Sequence, residues 1–123
     1  MKLTENFLLS EYQSKDGAAT PLELVPNIKE NAKNLQVLRE YFDAPIIINS
    51  GYRSPSHNKS IGGAKYSQHL QGKASDIVVK GYTPYEVYEA IEYLISEGEM
   101  KQGGLSQYNT FVHYDVRGSR ARW

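Results

Sequence analysis

A chain of 123 residues that is 40% hydrophobic is long enough to bury one core without cross-links. Its 14 basic and 14 acidic side chains cancel, which argues against nucleic acid or an anionic membrane as the principal partner. It has no cysteine, which excludes disulfides, thiolate ligands and cysteine nucleophiles, so any metal site must be built from His, Asp, Glu or backbone oxygen.

Residues 1–25 read as irregular, with a short helix near Ser10 to Ser14. The opening MKLTENFLLSEYQ is too weakly basic and too briefly apolar for a secretory signal, and no run reaches membrane-spanning length. The expectation is a protein made in the cytoplasm that reaches its site of action by release.

PNIKENAKNLQVLREYFD predicts a helix, because Ile28, Ala32, Leu35, Leu38 and Phe42 recur at helical spacing with charges opposite. Pro45 lies just past its end. IIIN, Ile46 to Asn49, predicts a short buried strand. GYRSPSHNKSIGGAKYS reads as a long loop, a length that in a compact domain is functional or disordered. ASDIVVKG predicts a second strand. TPYEVYEAIEYLISEG predicts a second helix, with Thr83 as N-cap, Pro84 in the first turn and Glu86 completing a capping box. Val87, Ala90, Ile91, Leu94 and Ile95 form its apolar stripe, and Gly98 can end it. GGLSQYNTFVHYDVRG reads as a terminal hairpin turning near Asn109. No repeat or linker divides the chain. The order favours a single α+β domain over residues 1–123, with a mostly antiparallel sheet flanked by two main helices. A monomer is the default.

Chemistry concentrates in SQHLQGKASD. Extended over seven residues, or roughly 23 Å, His69 and Asp76 could not share a ligand. Gly72 permits a reversal that returns both side chains to one point. A third ligand is offered by FVHYDVR. On a strand, Phe111, His113, Asp115 and Arg117 share one face, and Val112, Tyr114 and Val116 the other. His69, Asp76 and His113 then form a three-ligand zinc site with an open fourth position. Asp115 is the candidate general base, with the alternative that it hydrogen-bonds a ligand imidazole from behind. Arg53 is the candidate cation for a developing oxyanion, or else pairs with a carboxylate to order its loop. Asn58, Ser67 and Gln68 either line the cleft or bond loop backbone. His57, between Ser and Pro residues, reads as solvated or supporting rather than ligating. Trp123 and the nearby arginines either pack on the sheet or touch an anionic polymer.

The segments SGYRSPSHN, IGGAKYSQHLQGKASDI and FVHYDVRGSRARW together resemble the M15 group of zinc peptidases, the D-alanyl-D-alanine carboxypeptidases and murein endopeptidases, in a phage-type form. The resemblance implies the hedgehog and D,D-peptidase type of α+β fold, and Zn2+ held by His69, Asp76 and His113. It also implies hydrolysis of peptidoglycan stem peptides or cross-links at the cell wall, as by a lysin. Many relatives carry an acid three positions before the last zinc histidine, or a histidine two before. Here those positions are Thr110 and Phe111, which shifts the base to Asp115. A zinc-stabilised module that binds wall peptide or protein without cutting it is the alternative function.

Overall fold

Helix α1, Val25–Phe42, opens the regular structure in the computed structural model, which describes residues 1–123. Its stripe is as expected, except that Phe42 is only partly buried and Asn31 joins Ile28, Ala32, Leu35 and Leu38 inside. It stops at Asp43, whose left-handed φ of 49° a short polar side chain tolerates. Strand β1 is Ile46–Ser50, helix α2 Pro55–Ser60, strand β2 Ala74–Val79 and helix α3 Pro84–Ser96. Strands β3, Gly104–Gln107, and β4, Val112–Asp115, form the expected hairpin, and a short β5, Ala121–Arg122, follows.

The five strands lie in the order β1-β2-β4-β3-β5. All pairs are antiparallel except β3 with β5, so the α+β reading holds. One face of the sheet supplies Ile46, Ile48, Ile77, Val79, Leu105, Val112 and Tyr114 to a core completed by α1 and α3. The period-2 alternation then forces Asp76, His113 and Asp115 to the opposite face.

Two expectations are corrected. The segment after β1 is not all loop: Ser54 accepts a hydrogen bond from His57 N at 3.1 Å and starts α2 at Pro55. Strand β1 is only half-buried, because its pleat sends Ile46 and Ile48 to the core and turns Ile47 to the other face, where it is 54% exposed. The first 25 residues are irregular as expected, with a 3₁₀ turn at Leu9–Tyr12 close to the expected Ser10–Ser14, and they are held by packing, since Leu3, Phe7 and Tyr12 are core residues.

Candidate metal centre

Two ligands of the candidate site come from one cross-strand pair, since β2 and β4 set Asp76 directly opposite His113. The third, His69, lies in a 3₁₀ turn, Gln68–Gln71, capped by Ser67 Oγ, which accepts from His69 N at 3.2 Å. Gly72 ends that turn at φ 71°, in the left-handed region, and a Cβ there would meet Ile28 at 2.9 Å. The chain reverses where the glycine allows. His69 Nε2 comes to 3.2 Å and His113 Nδ1 to 3.1 Å from Asp76 Oδ1. All three residues are buried, and their ligand atoms lie within 4.8 Å of one another.

The outer nitrogens of the rings fix what the inner ones can do. His69 Nδ1 is 2.7 Å from the Gly51 carbonyl, which can only accept, so this nitrogen carries the proton. His113 Nε2 donates to Asp115 Oδ2 at 2.7 Å. In neutral rings, two nitrogen lone pairs therefore face a carboxylate oxygen. Three acceptors pointed at one another need a cation between them, and two imidazoles with one carboxylate are a donor set that suits zinc. The charge balance of the three groups reflects this crowding. Burial opposes the charge of Asp76, yet contact with His113 and His69 holds its carboxyl well below the usual range. For His113, burial works against protonation, but Asp115 and Asp76 outweigh it and raise its pKa.

Asp115 stands behind His113, with its side chain 0% exposed. Its Oδ1 accepts from Gly104 N at 2.9 Å, Arg117 N at 3.1 Å and Arg117 Nε at 2.9 Å. Its Oδ2 accepts from Arg117 Nη2 at 2.8 Å as well as from His113. Burial opposes ionisation, and these donors outweigh it, holding the carboxyl low. The structure thus brings Asp115 to the back of a ligand ring and not to the cleft.

Arg53 follows β1 and lines the cleft with Ser67 and Gln68. Its guanidinium donates to Asp76 Oδ2 at 3.2 Å, Ser50 Oγ at 3.1 Å and Asn58 Oδ1 at 3.3 Å. Asn58 is buried and donates to the Ala64 carbonyl at 2.9 Å, so it orders the loop and Arg53 instead of lining the cleft. His57 contributes no atom to the cluster of candidate ligands.

The cleft in front of the triad has a volume of about 490 Å³. Phe111 is part of its wall, as its strand position predicts, and stacks on Tyr108 at 4.5 Å. Trp123 completes the wall. Its Nε1 donates to Tyr108 Oη at 2.8 Å, and its ring lies 4.9 Å from that of His113. Sequence reasoning had not singled out Tyr108, nor Gly103 and Gly104. A Cβ on either glycine would run into Asp115, so the GG pair is the sequence signal that something bulky backs onto β3.

Fold and site define a small α+β zinc protein with a ligand triad at the floor of an open cleft. The chain belongs to the Peptidase M15 family, whose sequence pattern matches residues 2–115. The resemblance carried by its three segments is thereby borne out. Over 44 residues the chain is 43% identical to the zinc D-Ala-D-Ala carboxypeptidase of Streptomyces albus G. That match covers 35% of this chain and only 17% of the relative. The family is zinc-dependent, and the cofactor of this chain is zinc.

Proposed function

We propose that the protein hydrolyses peptide bonds in bacterial peptidoglycan, in its stem peptides or cross-links. The observation that carries this reading is the convergence of His69 Nε2, Asp76 Oδ1 and His113 Nδ1 at the floor of a cleft wide enough for a peptide. The name of the partial relative is consistent with it. Zinc, when held by these three residues, supplies Lewis-acid polarisation of a scissile carbonyl and activation of water.

The chain's own residues do the rest. Gly51 and Asp115 fix the tautomers and orientation of the two imidazoles. Arg53 has five N–H groups, of which Ser50, Asn58 and Asp76 engage three. The remaining two can steady negative charge on the carbonyl oxygen. Asp115 takes the positioning role, because every approach to its oxygens is already occupied. The aromatic wall of Tyr108, Phe111 and Trp123 holds the peptide against the triad.

One observation favours a second reading. The cleft lining contains no carboxylate besides Asp76, so it offers no free proton acceptor of the usual kind, and a zinc-stabilised binding module fits that lining. Digestion of defined muropeptides decides. Cleavage that is lost on chelation, restored by zinc and absent in His113→Ala supports the peptidase. A zinc-loaded protein that is retained on wall peptides but leaves all of them intact overturns it in favour of the module.

A further inference from the structure

We propose that Arg117 is the specificity-determining cation of the cleft, and that it receives a free α-carboxylate on the residue at the leaving side of the scissile bond. The proposal rests on the peptidase reading and goes further, to the feature of the substrate that is selected.

Two arginines line the cleft, and they are not equivalent. Arg53 uses one N–H of each of its three nitrogens, which leaves no nitrogen wholly free, and its side chain is 14% exposed. Arg117 spends Nε and Nη2 on a two-pronged fork with Asp115, while Nη1 has no protein partner and the side chain is 28% exposed. The fork locks the guanidinium in place, and the Trp123 ring lies 5.4 Å from it. Gly104 leaves the room, since a Cβ there would come within 2.8 Å of Arg117 Nη2. Arg117 therefore lines the cleft preorganised and with Nη1 uncommitted, and a fixed guanidinium with a free N–H group is the form in which arginine recognises carboxylates.

The balance of charge agrees. The lining holds two arginines against the single carboxylate of Asp76, and a bound divalent ion adds to the excess. A peptide with a carboxylate near the reacting bond fits such a cleft. In wall peptides that carboxylate has several sources with one geometry. A D-Ala–D-Ala terminus, an L-Ala–D-Glu bond with D-Glu joined through its side chain, and a D-Ala–diaminopimelate cross-link all carry a free α-carboxylate beside the scissile nitrogen. Reading that group would make the enzyme indifferent to whether the bond is terminal or internal.

The test compares each substrate with its amide. One arm uses an acetylated L-Lys-D-Ala-D-Ala and its C-terminal amide. The other uses an L-Ala–D-Glu peptide and its α-amide. In the native zinc protein, amidation should lower kcat/KM at least about tenfold in whichever arm is cleaved, mainly through KM. In Arg117→Met the discrimination should vanish. Zinc content is measured alongside, because Arg117 also holds Asp115. Arg117→Lys guards against zinc loss, since its one ammonium stays on Asp115 and should leave less than threefold discrimination. A binding arm titrates reduced-amide analogues, with CH2–NH at the scissile bond, into the zinc protein by calorimetry, with the same ratios expected. Equal handling of acid and amide by the native protein overturns the proposal. So does full discrimination persisting in a zinc-replete Arg117 variant. If neither arm is cleaved the peptidase reading fails, and the calorimetric ratios alone judge Arg117.

Discussion

Replacing Asp115 with asparagine separates the two roles open to that residue. The carboxylate accepts five hydrogen bonds, from His113 Nε2, Gly104 N, and Arg117 N, Nε and Nη2. Asparagine keeps the shape but has one acceptor oxygen. Its NH2 must face either His113 and Arg117 Nη2 or Gly104 N and Arg117 Nε, and all of these are donors. Removing one partner of a buried ion pair costs about 3–5 kcal/mol. Arg117 is 28% exposed and can turn partly to water, which places the loss near the lower end, at about 3 kcal/mol. Loss of the acceptor behind a ligand histidine lowers metal affinity by about 10- to 100-fold, or about 1.4–2.8 kcal/mol. Competition with a chromophoric chelator reads the affinity, and urea unfolding of the zinc-free protein reads the stability. If Asp115→Asn keeps the parent zinc affinity but loses more than about a thousandfold in kcat, Asp115 is the proton acceptor and the positioning argument is wrong.

Gly104→Ala places a methyl group against Asp115 Oδ2 and Arg117 Nη2, so it should cost about 1–3 kcal/mol in urea unfolding and weaken zinc binding. An unchanged urea midpoint would show that β3 shifts freely. Tyr12→Phe removes the donor to the buried Asn31 Oδ1, now 2.7 Å away, and should cost about 1–3 kcal/mol. A melting temperature equal to the parent's would refute the link between the N-terminal segment and α1. The Asp16 carboxyl is lowered to about 2, chiefly by the hydrogen bond from Ser54 and then by those from Ser14 and Ala18 N. Its folded value lies below its unfolded one, so its contribution is full above about pH 4 and fades as pH falls through about 2. Asp16→Asn should therefore flatten the stability curve between those values, and urea midpoints at pH 5, 4, 3 and 2 that parallel the parent's would contradict this.

The ligand triad was legible in the sequence because each member rests on a local rule. Gly72 announces the reversal that brings His69 back, and the alternation in FVHYDVR puts His113 opposite the valines. The choice between the two roles of Asp115 was not legible. It depends on Gly104 N and on the fork of Arg117, hence on how β3 pairs with β4. Helix α2 was missed because Ser54 and Pro55 punctuate a loop as readily as they cap a helix. Trp123 reached the cleft through the parallel pairing of β5 and through its carbonyl, which accepts from Ser106 Oγ at 2.7 Å. Tyr12 was missed for a similar reason: its value lies in contacts made 19 residues away on α1 and around Gly51.

The way the ligands are supplied ties metal binding to sheet register. Asp76 and His113 are Cα partners across β2 and β4, and the valines beside His113 face the core. A slip of one residue would turn His113 inward and send Val112 or Tyr114 to the cleft, placing an unpaired imidazole in the apolar core and exposing core surface at once. The hydrophobic pattern that folds the sheet therefore also excludes the mispaired site, and zinc adds to that preference because only the native register presents both ligands together. Residual freedom lies with His69, carried on a single 3₁₀ turn. That turn is held by Ser67 at its start, by Gly72 against α1 at its end, and by His69 O accepting from Arg53 N at 3.1 Å. The backbone of Arg53 thus braces the ligand from the turn, and its side chain braces Asp76 of the sheet pair, so truncating that side chain should loosen Asp76 and His113 while the backbone bond to His69 stays.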